Sequence, residues 1–86
     1  MIYSKQALRK AVFAVFEDEC NLDNYEFVAL LDRFEDFRAV KEVPGVTVLR
    51  TERRIKLTGA LEFLRDAQHI TTEQCEALTK LADTIE

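Results

Sequence analysis

Turn formers are nearly absent from this chain: its 86 residues include two glycines and one proline. Sheet folds place turn residues every ~8–12 positions, and nothing here supplies them. What remains is a small number of long helices joined by short connections. The periodicity agrees. Phe27, Leu30, Leu31, Phe34, Phe37 and Val40 recur at the i, i+3, i+4, i+7 spacing of one helical face, with Asp32, Arg33, Glu35, Asp36 and Arg38 on the other side. Asp23, followed three residues later by Glu26, is a capping pair for this helix. Val43-Pro44-Gly45 ends it, because a residue before proline is pushed out of the α region and glycine permits a turn.

Ala11-Val12-Phe13-Ala14-Val15-Phe16 is the longest apolar run. At 100° per residue six such side chains cover every side of a helix. The segment is therefore expected either at the centre of the bundle or against a second chain. Its helix starts at Ser4, with Tyr3 and Leu8 at the staple positions, and is expected to reach about Glu19. Phe13 falls off the stripe of Leu8, Val12, Val15 and Phe16. Glu17-Asp18-Glu19 would then sit at the negative end of the helix dipole, where carboxylates need a cationic partner.

Residues 46–57 are ambiguous. Val46-Thr47-Val48-Leu49 and Arg54-Ile55-Lys56-Leu57 have strand-like composition, whereas Leu49, Arg53, Leu57, Ala60, Leu61 and Leu64 share a helical face. Two strands without a third are marginal, so a long helix, loosened at Thr58-Gly59, is expected, with a β-hairpin or extended arm as the alternative. Thr71-Thr72-Glu73-Gln74 is a capping box, with Ile70 and Cys75 at the staple positions, and Cys75, Leu78, Leu81, Ala82 and Ile85 stripe the last helix. The expected fold is all-α: one small four-helix, bundle-like domain with loops of about four to six residues.

Apolar residues at 48% with 33% charged side chains describe a globular chain. Twelve basic and sixteen acidic residues give a net charge of −4, spread without a tail of either sign. Such a chain repels polyphosphate at long range, which counts against general nucleic-acid binding. The six-residue apolar run is far below the ~20 residues of a membrane span, and no signal-peptide pattern is present. Cys20 and Cys75 lack C-x-x-C spacing and read as reduced, partly buried thiols, which fits a cytoplasmic location. A core this small also favours self-association, here through the first helix and the face carrying Arg53.

No catalytic, cofactor or metal residue is assigned. His69 has no nucleophile and orienting acid in its sequence neighbourhood, and His69, Cys20 and Cys75 fit no zinc spacing. The acidic groups Glu17, Asp18, Glu19, Asp32, Glu35 and Asp36 read as solvated faces. Arg50, Arg53, Arg54 and Lys56 form the densest basic cluster. They either converge on an anion or an acidic partner, or pair with nearby carboxylates as a solvated face. Arg53 lies on the apolar stripe, so it must be salt-bridged or at an oligomer seam. The phenylalanines read mostly as core. Phe13 and Tyr25 fall outside the best stripes and are the candidate apolar anchors for a partner.

Over its full length, through stretches such as Asp32-Arg33-Phe34-Glu35-Asp36-Phe37-Arg38 and Thr51-Glu52-Arg53-Arg54, the chain resembles the small acidic helical accessory proteins of tailed bacteriophages. That group includes anti-sigma, anti-defence and lysis-regulating proteins, the lysis-inhibition accessory proteins of T-even phages among them. The resemblance implies stoichiometric action on another protein and carries over no individual residue. The functional expectation is a non-enzymatic regulatory protein that binds and modulates a protein partner. Phe13 and Tyr25 are its anchors, and Arg50, Arg53, Arg54 and Lys56 its charged rim. The alternative is a nucleic-acid or nucleotide binder using that basic cluster.

Overall fold

The computed structural model describes residues 4–41, 45 and 47–85. They form four helices, α1 (Lys5–Val15), α2 (Asn24–Lys41), α3 (Thr47–Asp66) and α4 (Thr72–Thr84), with no strand among the described residues. Each helix packs on its sequence neighbours, and α1 closes the ring on α4. Cross-contacts set the directions. Arg9 meets Glu35 while Phe16 meets Phe27, Asp36 meets Arg53, and Arg54 meets Asp83 while the Cys75 thiol contacts the Leu61 carbonyl oxygen. Neighbouring helices are therefore antiparallel, as short connections require.

The helix starts follow the capping chemistry. The Ser4 hydroxyl accepts the Ala7 N–H at 3.1 Å. Asp23 and Glu26 exchange bonds: the Glu26 N–H donates to Asp23 at 2.7 Å and the Asp23 N–H donates to Glu26 at 3.1 Å. Thr71 and Gln74 do the same at the start of α4, each at 3.0 Å. Ile70 and Cys75 are both buried in the core, as the staple positions require. The Tyr3–Leu8 staple and the Val43-Pro44 stop lie outside the described residues, while Gly45 has the positive φ of a turn, +79°.

Residues 47–57 are helical, and α3 runs unbroken through Thr58-Gly59. Its end carries a left-handed cap. Gln68 has φ of +63°, its N–H donates to the Arg65 carbonyl at 3.0 Å, and the His69 N–H donates to the Leu64 carbonyl at 2.8 Å. These bonds satisfy carbonyls that the helix end would leave open.

Of the two places expected for the run Ala11–Phe16, the centre of the molecule is not the one it takes: Val12 and Phe16 are buried, whereas Phe13 and Ala14 are exposed and leave part of the run open to a second chain. The central pair is α2 and α3, the most extensively packed helices. Leu30, Phe34 and Phe37 interlock there with Leu57 and Leu61, each at most 1% exposed. Helix α1 also stops at Val15, four residues before Glu19. Phe16 turns inward to pack its ring on Phe27, centroids 5.4 Å apart and 68° between planes. Glu17, Asp18 and Glu19 therefore lie beyond the helix, on the connecting loop. The connection to α2, residues 16–23, is correspondingly longer than expected.

Cys75 is buried, but Cys20 is exposed rather than partly buried; both are free thiols. The Cys20 Sγ contacts the Leu22 carbonyl oxygen at 3.8 Å, because the early end of α1 leaves the thiol on the connecting loop. No described helix is long and apolar enough to cross a membrane.

Candidate protein-binding surface

The basic residues of α3 do not converge. Arg53 and Arg54 lie on either side of the buried Leu57 stripe, about 100° apart around the helix, and reach different neighbours. Arg53 reaches Asp36 of α2 at 3.6 Å, so the charge on the apolar stripe is salt-bridged within the chain. Arg54 pairs with Asp83 of α4, and its guanidinium carbon lies 6.0 Å from the centre of the Phe37 ring. Lys56 pairs along its own helix with Glu52 at 3.5 Å. Arg50 and Arg54 line one hollow with Phe37 and Thr51, while Arg53 and Lys56 line another with Arg33, Asp36 and Leu57. The cluster is thus split between two sides, and three of its members are matched to carboxylates.

Phe13 is 54% exposed, yet its ring stacks on Phe27, with centroids 5.0 Å apart and planes 27° from parallel. It is the outer member of an aromatic row, Phe13–Phe27–Phe16, that seals α1 to α2. Tyr25 is 84% exposed. It stands at the lip of a hollow of about 320 Å³ between α2 and α3. Tyr25, Ala29 and Arg33 line that hollow from α2 at i, i+4 and i+8. Ala60 and Phe63 face them from α3, and Leu30 and Leu64 make the floor. Phe63 is 70% exposed and walls the hollow opposite Tyr25.

Phe63 escaped the sequence reading, which placed the phenylalanines mostly in the core. The signal was present: it lies six residues from Leu57, about 120° around the helix at 100° per residue, well off the stripe. Glu26 escaped as well. Besides capping α2, it bonds through its second carboxylate oxygen to the Nδ1 of His69 just beyond the end of α3. That contact fastens the two helix ends, and Glu26 is also the one carboxylate that lines the hollow. Only the fold brings residues 26 and 69 together.

The acidic residues are scattered too. Glu35 pairs with Arg9 at 2.9 Å and Asp36 with Arg53, while Asp18, Glu19 and Glu73 edge a separate hollow between the end of α1 and the start of α4. No group of three His, Cys, Asp or Glu side chains gathers as metal ligands among the described residues. No protein-family model, curated protein or solved structure matches the chain.

Proposed function

We propose that this chain is a non-enzymatic interaction protein that binds and modulates a protein partner through the seam between α2 and α3. The observation that carries this reading is the apolar hollow walled by exposed Tyr25 and Phe63 over Ala29 and Ala60. Large aromatic side chains left in water beside a ready-made depression, with an arginine at its end, match the composition of interface centres. The resemblance to phage accessory proteins supports the same reading, since such proteins act by stoichiometric binding. The basic cluster supports nucleic-acid binding less well, because Arg53, Arg54 and Lys56 are each committed to a carboxylate of the same chain.

Capture of partners from a cell lysate, after nuclease treatment, with the wild-type chain and with Phe63→Asp, tests this reading. One protein retained at stoichiometric ratio by the wild type and lost by the variant supports it. Partners that vanish with nuclease, or that ignore Phe63→Asp, shift the function to another surface. Self-association, expected from the small core through the first helix and the face carrying Arg53, is the competing outcome, and the sedimentation of the purified chain across a dilution series separates it.

A further inference from the structure

Resting on that reading, we infer that the seam seats an amphipathic helix of a partner protein. This helix carries two apolar side chains one turn apart and a carboxylate about two turns beyond the first, directed at Arg33. The seam has a polarity. At one end are Tyr25 and Phe63, in the middle the small side chains Ala29 and Ala60, and at the other end Arg33, which also borders the adjoining hollow with Lys56. From Tyr25 to Arg33 is eight residues of helix, about 12 Å at 1.5 Å per residue. A second helix laid along the seam covers the same distance in about two turns. Alanines at the middle let its backbone come close, and apolar side chains at i and i+4 reach the Leu30 and Leu64 floor. This is the helix-in-groove mode of recognition.

Charge selects the partner. Around the seam, Lys56 is matched to Glu52 and Arg53 to Asp36, whereas the Arg33 guanidinium makes no hydrogen bond or ion pair with another described residue. A guanidinium beside an apolar hollow favours a carboxylate, which it can hold in a two-pronged contact. Packed seam on seam, a second copy offers Arg33 only the carboxylate of Glu26, the one that lines the hollow. With the two seams parallel about a two-fold axis, Arg33 meets Arg33. With them antiparallel, it meets the aromatic end, where Glu26 is already held by His69 and the Asp23 N–H.

The test uses fluorescent peptides stapled as helices, with leucine at i and i+4 and glutamate, glutamine or lysine at i+8. Binding to the purified chain is read by anisotropy, with helicity and thermal unfolding checked for each protein variant. The expected result is a loss of about tenfold or more from the glutamate to the glutamine peptide. Phe63→Ala abolishes binding, and Arg33→Glu reverses the preference in favour of the lysine peptide. Equal affinity for the three peptides, or none for any of them, overturns the inference. If lysate capture still depends on Phe63, the interaction reading stands and only the helical acidic partner falls. If the chain instead sediments as a dimer that Phe63→Asp dissociates, the occupant is a second copy and the inference is again overturned.

Discussion

Phe13 and Phe63 both lie on the outside of a helix, 54% and 70% exposed, yet they sit in different kinds of surface. The α1–α2 seam is closed: Phe13 lies flat on Phe27, and Phe27 receives the edge of Phe16. The α2–α3 seam is open at one end. Phe63 and Tyr25 stand apart across small alanines and leave a depression that no described residue fills. Exposure alone ranks the two phenylalanines almost together, while their neighbours differ: a ring lies beneath Phe13 and a hollow opens beside Phe63, where the proposal seats the partner. A large apolar side chain in water points to a partner when its neighbours leave room beside it.

The largest effect expected lies beneath both seams. Phe34 is fully buried on α2, which packs on α1 and on α3. Phe34→Ala should cost about 3–5 kcal/mol, a large part of the roughly 5–15 kcal/mol that holds a domain together. Denaturant unfolding should show the chain partly or wholly unfolded in buffer. A loss below about 1 kcal/mol would mean that the α2 core is far more loosely packed than its burial indicates.

Glu26→Ala comes next, because one carboxylate serves two ends. Removing it opens the cap of α2 and the contact with His69, at a cost of about 1–2 kcal/mol. Glu26→Gln keeps an acceptor for the Asp23 N–H and should recover part of that loss. If the two variants unfold together, the cap contributes little and the comparison between seams loses its fixed end.

How much of this was legible follows from what each residue depends on. Helix starts at Ser4, Asp23 and Thr71 were readable because capping is a matter of three or four consecutive residues. The α2 and α4 stripes were readable because one face meets one core. The end of α1 was not, since Phe16 leaves the helix for Phe27, a contact across the loop. The ambiguity of residues 46–57 was one of composition, which the neighbouring helices resolve by burying Leu57 and Leu61 together. For the candidate site, Tyr25 was visible as an off-stripe aromatic. Arg33 and Phe63 gain meaning only when α2 and α3 are antiparallel and side by side. Spacing placed Arg53 beside the buried Leu57, where it is half-buried, but could not show that Asp36 would answer it.

A smaller change tests the cap beside the open seam. Gln68 holds a positive φ that costs a non-glycine residue about 1–2 kcal/mol. Gln68→Gly relieves it but gains chain entropy in the unfolded state. The net is a stabilisation of about 0.5 kcal/mol, or roughly 2–4 °C in Tm. A lowered Tm would show that the Gln68 side chain contributes contacts that outweigh the backbone cost.

The smallest change in stability carries the most weight for the comparison. Phe13→Ala removes a stacked ring pair worth about 0.5–1.5 kcal/mol together with part-buried apolar area, so it should destabilise by about 1–2 kcal/mol. Phe63→Ala should change stability by less than about 0.5 kcal/mol, as exposed substitutions usually do. Partner binding should respond in the opposite order, lost with Phe63→Ala and kept with Phe13→Ala once the protein is folded. Parallel unfolding and capture measurements on the two variants read both quantities. Equal stability losses would make Phe63 a packing residue of its own chain. Binding lost with Phe13→Ala in a folded protein would move the interface to the α1 side. The two phenylalanines cannot exchange roles without exchanging neighbours, because one ring has Phe27 beneath it and the other has an open hollow at its side.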